Sequence, residues 1–390
     1  MKTNQLIRVA VALLLSTFNS QLSTAHAQGS LTPPGAPAPT MKSLAQIEPR
    51  TPITNTTSLV TISQPGSYYL THNLTVSTGD GIDINTNNVT LDLNGFTIRS
   101  TAASATGNGI LLNHGLRNIT IANGFIQGGV TNNGSGVYSG SGFGNGIELA
   151  GSSPVNVLVS RISILGCQGD GINLDSYDST VVESCTVRTV GSYGIVASTI
   201  KGCTTIDCGS YAIYGIQVSD CIGQSSGSTG IYANTAQNCY GQSNSGYGVY
   251  ANTAQTCSGY SSSGIGVYAA NTALNCYGSS SSGEGLYAAF TVQNCYGSSS
   301  SSDGVHVDGA AENCVGFSAA ATTYSGIYAE TAMNCKGVST GGGYGLFISQ
   351  IAVGCYGQSA TGTGLSVPIA NSCAGSGSPA LSVGNKYNMP

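Results

Sequence analysis

The sequence predicts an all-β solenoid, a stack of short β coils with about 18–21 residues in each coil. Three observations favour this fold class: a regular series of cysteines, columns of aliphatic residues in register with them, and a low content of charge. A self-similar period of this length is typical of a solenoid and outweighs local propensities. The series consists of Cys167, Cys185, Cys203, Cys221, Cys239, Cys257, Cys276, Cys295, Cys314, Cys335, Cys355 and Cys373, and only Cys208 stands outside it.

Alignment of the coils on cysteine defines columns that we expect to point inward. The residue three positions before each cysteine is always aliphatic or alanine. Strand side chains alternate with a period of two, so inward positions three apart require a bend between them. Asparagine tolerates the left-handed backbone of a tight bend, and it precedes the cysteine in five coils. A second inward column consists of Ile195, Ile213, Ile231, Val249, Val267, Leu286, Val305, Ile327, Leu346 and Leu365.

The low charge has a physical reason in such a stack. Charged residues make up 7% of the chain, and the formal net charge is −5. Each column repeats its residues ~4.8 Å apart in neighbouring coils, where like charges repel. A hydrophobic content of 40% argues against disorder. No basic cluster is present, so we do not expect nucleic acid as a partner.

The chain divides into four segments. Residues 1–27 have a basic start, an apolar run and a small-residue cleavage site, which predict an export signal. Residues 28–58 are a Pro-rich linker, residues 59–158 form irregular early coils, and residues 159–390 form regular cysteine-marked coils. No later apolar run is long enough for a membrane helix. We therefore expect a secreted or cell-surface protein without a membrane span.

The thirteen cysteines first suggest disulfides, because the protein is predicted to be exported. The odd count and the small apolar residues around them instead favour buried thiols that fill the core. Parallel side chains in adjacent coils also suit disulfide geometry poorly. We expect mostly reduced thiols, with Cys203 and Cys208 as the most plausible bridge, and neither metal binding nor redox chemistry.

Four early segments resemble the opening coils of right-handed parallel β-helix proteins of the pectate-lyase-like superfamily. They are Pro65–Leu70, Gly81–Ile84, Asn88–Ile98 and Asn118–Ile121. The resemblance implies a right-handed helix and covers most of the chain that follows the predicted export signal. It leaves the activity open, because the superfamily includes lyases, glycoside hydrolases, epimerases and surface proteins. Its lyases combine acidic calcium ligands with an Arg or Lys base, and its hydrolases use clustered Asp residues.

One group of candidate catalytic residues lies near the start of the regular coils. It contains Asp170, with Asp175 and Asp178 following it, and Arg188 at the same position relative to the next cysteine. A carboxylate beside a guanidinium is more often a solvated ion pair than a general base. We therefore regard catalysis by this group as the less favoured interpretation.

A second candidate is the pair Glu284 and Asp303, which align one coil apart. Two carboxylates roughly 5 Å apart would suit a retaining glycosidase or a Ca²⁺ site. Loop solubility is the favoured interpretation of this pair. No Ser-His-Asp or metal-ligand spacing is present, so we predict no metal site and no cofactor, with Ca²⁺ here as the one alternative.

An aromatic strip is the strongest candidate binding surface. It occupies the outward position directly after the second inward column, and its flat rings could seat the sugar rings of a polysaccharide. Ring stacking that only stabilises the solenoid is the favoured interpretation of the strip, and polysaccharide binding is the alternative. We expect a non-catalytic exported or cell-surface protein for which polysaccharide is the candidate partner, with a polysaccharide lyase or glycoside hydrolase as the rival and the oligomeric state left open. The strip consists of Tyr214, Tyr232, Tyr250, Tyr268, Tyr287, His306, Tyr328 and Phe347.

Overall fold

The structure, a computed structural model, describes residues 48–177, 179–225 and 227–389. The predicted signal at residues 1–27, the first part of the linker and Asp178 lie outside these residues. The segment Arg50–Pro390 is one compact unit. It is a parallel β-solenoid of about 18 coils with about 19 residues in each coil, so the predicted fold class is confirmed. Its described residues form no helix, and so none that could cross a bilayer.

The early coils contain short strands and two long ones, which are β9 (Arg117–Gln127) and β13 (Val155–Cys167). Strands β10 (Gly129–Asn132) and β11 (Tyr138–Ser141) form an antiparallel hairpin, and every other strand belongs to one parallel sheet. The first strand begins at Thr51, within the segment that the sequence assigned to the linker. These strands are β1 Thr51–Ile53, β2 Val60–Ile62, β3 Gly66–Leu70, β4 Leu74–Val76, β5 Ile82–Ile84, β6 Val89–Asp92, β7 Thr97–Ser100, β8 Asn108–Leu112, β9 Arg117–Gln127, β10 Gly129–Asn132, β11 Tyr138–Ser141, β12 Asn145–Leu149 and β13 Val155–Cys167.

The later coils repeat one pattern of strands with small changes in length. They are β14 Ile172–Asn173, β15 Thr180–Glu183, β16 Thr186–Val190, β17 Ile195–Lys201, β18 Thr204–Cys208, β19 Ile213–Ser219, β20 Ile222–Ser225, β21 Ile231–Gln237, β22 Tyr240–Ser243, β23 Val249–Gln255, β24 Ser258–Ser261, β25 Val267–Leu274, β26 Tyr277–Ser280, β27 Leu286–Ala288, β28 Thr291–Gln293, β29 Tyr296–Ser299, β30 Val305–Val307, β31 Ala310–Glu312, β32 Val315–Ser318, β33 Ile327–Met333, β34 Lys336–Ser339, β35 Leu346–Val353, β36 Tyr356–Ser359, β37 Leu365–Asn371, β38 Ala374–Ser376 and β39 Leu381–Tyr387.

One regular coil has three faces, which the coil from Ile231 to Ser243 illustrates. The first face is Ile231–Ala233 and the second is Thr235–Gln237, both within β21, and the pairing with β23 skips the residue between them. The third face is β22, Tyr240–Ser243. Along each face, buried residues alternate with residues that are more exposed. The inward columns predicted from the sequence are confirmed, because their members are buried, except that Ile164 pairs with Val187 and so lies in another column.

The predicted bend between the second and third faces is also confirmed. Asn238, Asn275, Asn294, Asn313 and Asn334 all have a φ of 53°, which lies in the left-handed region. Some of these side chains also bond from coil to coil, as the Asn294 amide does when it donates to Asn275 Oδ1 at 3.2 Å. Asparagine at this position therefore sets the corner that turns the next residue, cysteine, inward.

The cysteine ladder, defined as the eleven cysteines from Cys185 to Cys373 without Cys208, runs inside this corner. Its thiols are reduced and at most 3% exposed. This agrees with the expectation that they fill the core, and the suggested Cys203–Cys208 bridge is not formed. The ladder cysteines are Cys185, Cys203, Cys221, Cys239, Cys257, Cys276, Cys295, Cys314, Cys335, Cys355 and Cys373.

The placement of Cys167 in this ladder was wrong. Cys167 pairs with Val190, and Val190 pairs with Cys208, so these cysteines occupy a different column. The reason is coil length: Val159 pairs with Val182, so the coil between them has 23 residues and not 18. The spacing from Cys167 to Cys185 matches the ladder by coincidence. Burial raises the pKa of the Cys167 thiol to about 12, so this thiol stays protonated.

Ser- and Gly-rich turns close each coil. Buried serines, which form a second buried column in addition to the cysteine ladder, hydrogen-bond to the backbone of these turns. In one such turn, Ser261 Oγ donates to the carbonyl of Gly246 in the preceding coil at 2.5 Å. The same oxygen accepts from the backbone N–H of Gly264 at 2.8 Å. A side chain at Gly259 would meet the Gly266 carbonyl oxygen at 2.0 Å, so the interior there is filled by backbone. The turns therefore have a structural role.

Candidate functional site

The predicted aromatic strip exists as a continuous column on the first face. Strand pairing places its eight rings directly above one another in successive coils. Ring centroids of successive members lie between 4.5 and 5.5 Å apart. All eight side chains are half-buried. The sequence therefore predicted both the members of the strip and their order.

The aromatic surface is wider than predicted, because a second column of tyrosines lies beside the strip. A flanking column lies three residues before each ring, and it contributes Tyr193, Tyr211, Tyr247 and Tyr344. Tyr211, for example, packs edge-on against Tyr232 with ring centroids 5.6 Å apart. The signal was present in the sequence, because each of these tyrosines directly precedes the small residue before the inward aliphatic.

Stacking covers the ring faces within the strip. The ring of Tyr250 lies 4.6 Å from that of Tyr232 and 4.7 Å from that of Tyr268, with interplanar angles of 2° and 4°. A ligand on the middle of the strip therefore meets ring edges and phenol hydroxyls. Burial raises the pKa of Tyr250, so its hydroxyl remains a hydrogen-bond donor at neutral pH. The expectation that sugars lie flat on these central rings does not fit this geometry.

The two ends of the strip differ from the middle. Tyr214 stacks on Tyr232, but the preceding coil places Val196 in its column. A pocket of about 250 Å³ opens there, lined by Asn173, Asp175, Ser176, Tyr177, Tyr193, Val196 and Tyr214. At the other end the column passes from Phe347 to Ser366, beside a depression of about 530 Å³. Each terminal ring thus has a face on which no other ring of the strip stacks, although Tyr193 packs edge-on against Tyr214 and Tyr344 packs at an angle against Phe347.

His306 is the one imidazole ring in the strip. It belongs to a chain of hydrogen-bonded polar side chains. His306 Nδ1 lies 3.1 Å from Asp303 Oδ2, and His306 Nε2 lies 3.3 Å from Asp308 Oδ1. The Tyr287 hydroxyl donates to the other oxygen of Asp308 at 2.6 Å. Burial lowers the pKa of His306, but the hydrogen bond to Asp303 and the nearby carboxylates outweigh this effect and raise it. The hydrogen bond to Asp308 raises the pKa of Tyr287 to about 12.

Asp170 and Asp303 have the same structural task in different coils. Each lies in the flanking column and accepts a hydrogen bond from the backbone N–H of the next coil. Asp170 Oδ1 accepts from Tyr193 at 2.9 Å, and Asp303 Oδ1 accepts from Ser325 at 2.5 Å. Asp303 is also 6% exposed. Glu284 does align with Asp303 one coil earlier, but the engaged oxygens of Asp303 favour a structural role over catalysis.

The predicted pairing of Asp170 with Arg188 is wrong. Arg188 lies on β16, where it pairs with Leu165 and Ile206, on a different face of the solenoid from Asp170. The 23-residue coil that displaced Cys167 is again the cause. Asp175 forms a turn instead, because it accepts from the Ser153 hydroxyl at 2.6 Å and from the Ser176 backbone at 2.6 Å.

Glu148, which the sequence analysis missed, is the partner that Asp170 does have. The Asn173 amide donates to Glu148 Oε1 at 3.0 Å and to Asp170 Oδ2 at 3.2 Å. Burial, followed by the charge of Asp170, raises the pKa of Glu148 to about 8. Asn173 also lines the pocket at Tyr214, so the two carboxyl groups lie behind the wall of that pocket.

Carboxyl groups lie beside the strip, and the His306 imidazole is the one member of the strip that can carry a positive charge. Between Tyr193 and Phe347 the lysines are Lys201 and Lys336, no arginine is present, and strand pairing places both lysines on the second and third faces. Over the described ranges, no three His, Cys, Asp or Glu side chains converge on a point where they could hold a metal ion. The surface is therefore suited to neutral or cationic ligands.

These features define a parallel β-solenoid with one aromatic face. Comparisons of the chain with protein-family models, with curated proteins and with solved structures give no match.

Proposed function

We propose that this protein is a non-catalytic, exported or cell-surface β-solenoid that binds an extended glycan along its aromatic strip. The likeness of its early coils to the pectate-lyase-like superfamily is part of this proposal. The observation that carries it is the continuous column of rings from Tyr214 to Phe347, with a face at each end on which no other ring of the strip stacks. Aromatic surfaces with a polar edge suit sugars, which have both apolar faces and hydroxyl groups.

The carboxyl groups beside the strip indicate which class of glycan it would bind. Glu284, Asp303 and Asp308 lie on or beside it, the His306 imidazole is already paired with two of them, and the lysines nearby in sequence are on other faces. A uronate polymer would place its carboxylates against these acids, and like charges disfavour such contact. Neutral glycans and amino-sugar glycans are the classes that this surface favours.

A binding panel tests the proposal. We expect retention of the protein on insoluble glucosamine and neutral glucan polymers, and none on polygalacturonate or alginate. Tyr214→Ala combined with Phe347→Ala should weaken retention about tenfold or more, because the ring faces at both ends of the strip are lost. Tyr277→Ala is the matched control, because Tyr277 is also a stacked tyrosine but lies on the third face. No retention on any glycan, or equal loss in the control, would rule the strip out.

Glycoside hydrolysis is a second candidate function, favoured by Glu148. A carboxyl group with a pKa of about 8 beside a second carboxyl group is the arrangement from which an acid and a base are assigned in glycosidases. Release of reducing ends from the same glycans tests it. Release that Glu148→Gln abolishes would replace the non-catalytic proposal, and its absence would leave Glu148 as a structural acid.

A further inference from the structure

We propose that the cysteine ladder binds soft monovalent ions, Cu(I) or Ag(I), in two-coordinate sites between successive sulfurs. This inference is independent of the aromatic strip and of the glycan proposal. It rests on the spacing of the sulfurs, on the hydrogen bonds that they accept, and on the charge that the core can hold.

The register of the ladder fixes the sulfur spacing. The residues on either side of each cysteine pair in every coil, as Gln237 with Gln255 and Tyr240 with Ser258 do around Cys239. The backbones of successive ladder cysteines are therefore one strand spacing apart, ~4.7–4.9 Å, and we infer a similar spacing for their sulfurs, because the side chains point the same way. A linear sulfur–metal–sulfur unit with bonds of ~2.3 Å, the length found for zinc thiolates, spans ~4.6 Å. The gap between two sulfurs is thus the right length for one ion.

Six ladder sulfurs accept a backbone hydrogen bond, in addition to the carbonyl oxygens to which the ladder thiols donate, as Cys276 does to Ala254 at 3.4 Å. The backbone N–H of Cys276 donates to Cys295 Sγ at 3.2 Å, and that of Cys203 donates to Cys221 Sγ at 3.4 Å. The same contact recurs at Cys185, Cys314, Cys335 and Cys355. Donors of this kind orient ligand atoms and stabilise the thiolate form that binds metal.

The charge of the filled core and the preference of thiolates for soft metals determine which ion fits the ladder. Each thiol loses its proton to solvent as it binds, and each monovalent ion cancels one thiolate, so a filled ladder is close to neutral. Burial of uncompensated charge would be costly, and divalent ions at every gap would create it. Thiolates prefer soft ions such as Cu(I). A four-ligand zinc site is excluded in the described part of the chain, because no three ligand side chains converge there.

A route to the sulfurs lies on the surface. A shallow groove of about 440 Å³ runs along the ladder, and Cys257, Cys276 and Cys295 are among its lining residues. The side chains of Asn275 and Tyr277 belong to its walls. Ions can therefore reach this stretch of the ladder through small movements of surface side chains.

Native mass spectrometry of the reduced, folded protein titrated with Ag(I) tests the proposal, because Ag(I) needs no reductant. Eleven ladder cysteines leave ten gaps, so we expect binding to approach ten ions. Cys276→Ala removes the gaps on both sides and should lower the number by two. Cys373→Ala removes one gap at the end of the ladder and should lower it by one. Cys167→Ala should leave the number unchanged, because Cys167 has Val190 beside it in the next coil.

The coordination number and the folded state complete the test. X-ray absorption of the loaded protein should show two sulfur neighbours for each ion, and far-UV circular dichroism should be unchanged by loading. Three or more sulfur neighbours, equal losses in the Cys167 and Cys276 variants, or uptake only after unfolding would each overturn the proposal. The Cys373 variant keeps the test decisive if Cys276→Ala does not fold.

Discussion

Substitution of Glu148 by Gln tests the electrostatics at the pocket end of the strip. Glu148 has a pKa of about 8 against an ordinary value of 4.5, because of burial and then the charge of Asp170. The folded protein therefore keeps a proton that the unfolded chain releases between these two values. Stability should fall as the pH rises through this window, and the loss should be complete above about pH 8. Gln keeps the oxygen that accepts from Asn173 and removes the titration.

The magnitude follows from the difference in proton affinity. Each tenfold change in proton affinity is worth about 1.4 kcal/mol. A rise in the Glu148 pKa from 4.5 to about 8 therefore corresponds to a loss of stability of at most about 5 kcal/mol. The Glu148 side chain is half-buried, and solvent screening reduces the effect. We expect Glu148→Gln to be more stable than the native protein by about 2–3 kcal/mol above pH 8 relative to their difference at about pH 4.

Denaturant unfolding of both proteins across this pH range measures the effect. Comparison of the two proteins subtracts the other titrating groups. Asp170→Asn is the second variant, and it should lower the pKa of Glu148, which carboxyl NMR titration reports directly. A difference between native protein and Glu148→Gln that stays constant with pH would refute the reasoning, as would a Glu148 pKa near 4.5.

Three further predictions concern the columns of the stack, and denaturant unfolding measures each. Ser261→Ala leaves two backbone groups without their partner and should cost about 2 kcal/mol, whereas exposed Ser263→Ala should stay within about 0.5 kcal/mol. Tyr250→Ala loses two stacked neighbours, at about 0.5–1.5 kcal/mol each, and should cost about twice as much in stacking as Tyr277→Ala, which loses one. Equal costs within either pair would contradict these assignments. His306 has a raised pKa, so its stabilisation is present below pH 6.5 and is lost as the pH rises through the folded value. His306→Gln should therefore be more harmful at about pH 6 than at about pH 9, and a harmful effect that does not vary with pH would contradict this role.

Periodicity predicted most of the fold because the side chains of a stack repeat in columns. The inward aliphatics, the left-handed bend before cysteine and the order of the aromatic strip all followed from residue types at a fixed spacing. Cys167 and Arg188 were misplaced because one coil is longer. A loop insertion changes the register without changing the local pattern, so spacing alone does not reveal it.

The chemistry of the site was less predictable than its columns. Asp170 and Asp303 carry carboxyl groups that could act in catalysis, but their hydrogen bonds to the next coil show a structural role. Glu148 is surrounded by ordinary strand sequence, and its raised pKa depends on burial and on a residue 22 positions away. Such effects arise from neighbours in space, which the sequence pattern does not specify.

Chemical footprinting of the tyrosines is the most direct test of the aromatic strip as a glycan-binding surface. The protein is acetylated with N-acetylimidazole with and without a glucosamine oligomer, and each tyrosine is quantified by mass spectrometry. We expect the oligomer to protect Tyr177, Tyr193 and Tyr214 at the pocket end of the strip. Tyr277 and Tyr296 on the third face should react equally with and without it. Protection of the third-face pair, or no protection at the pocket, would contradict glycan binding along the strip.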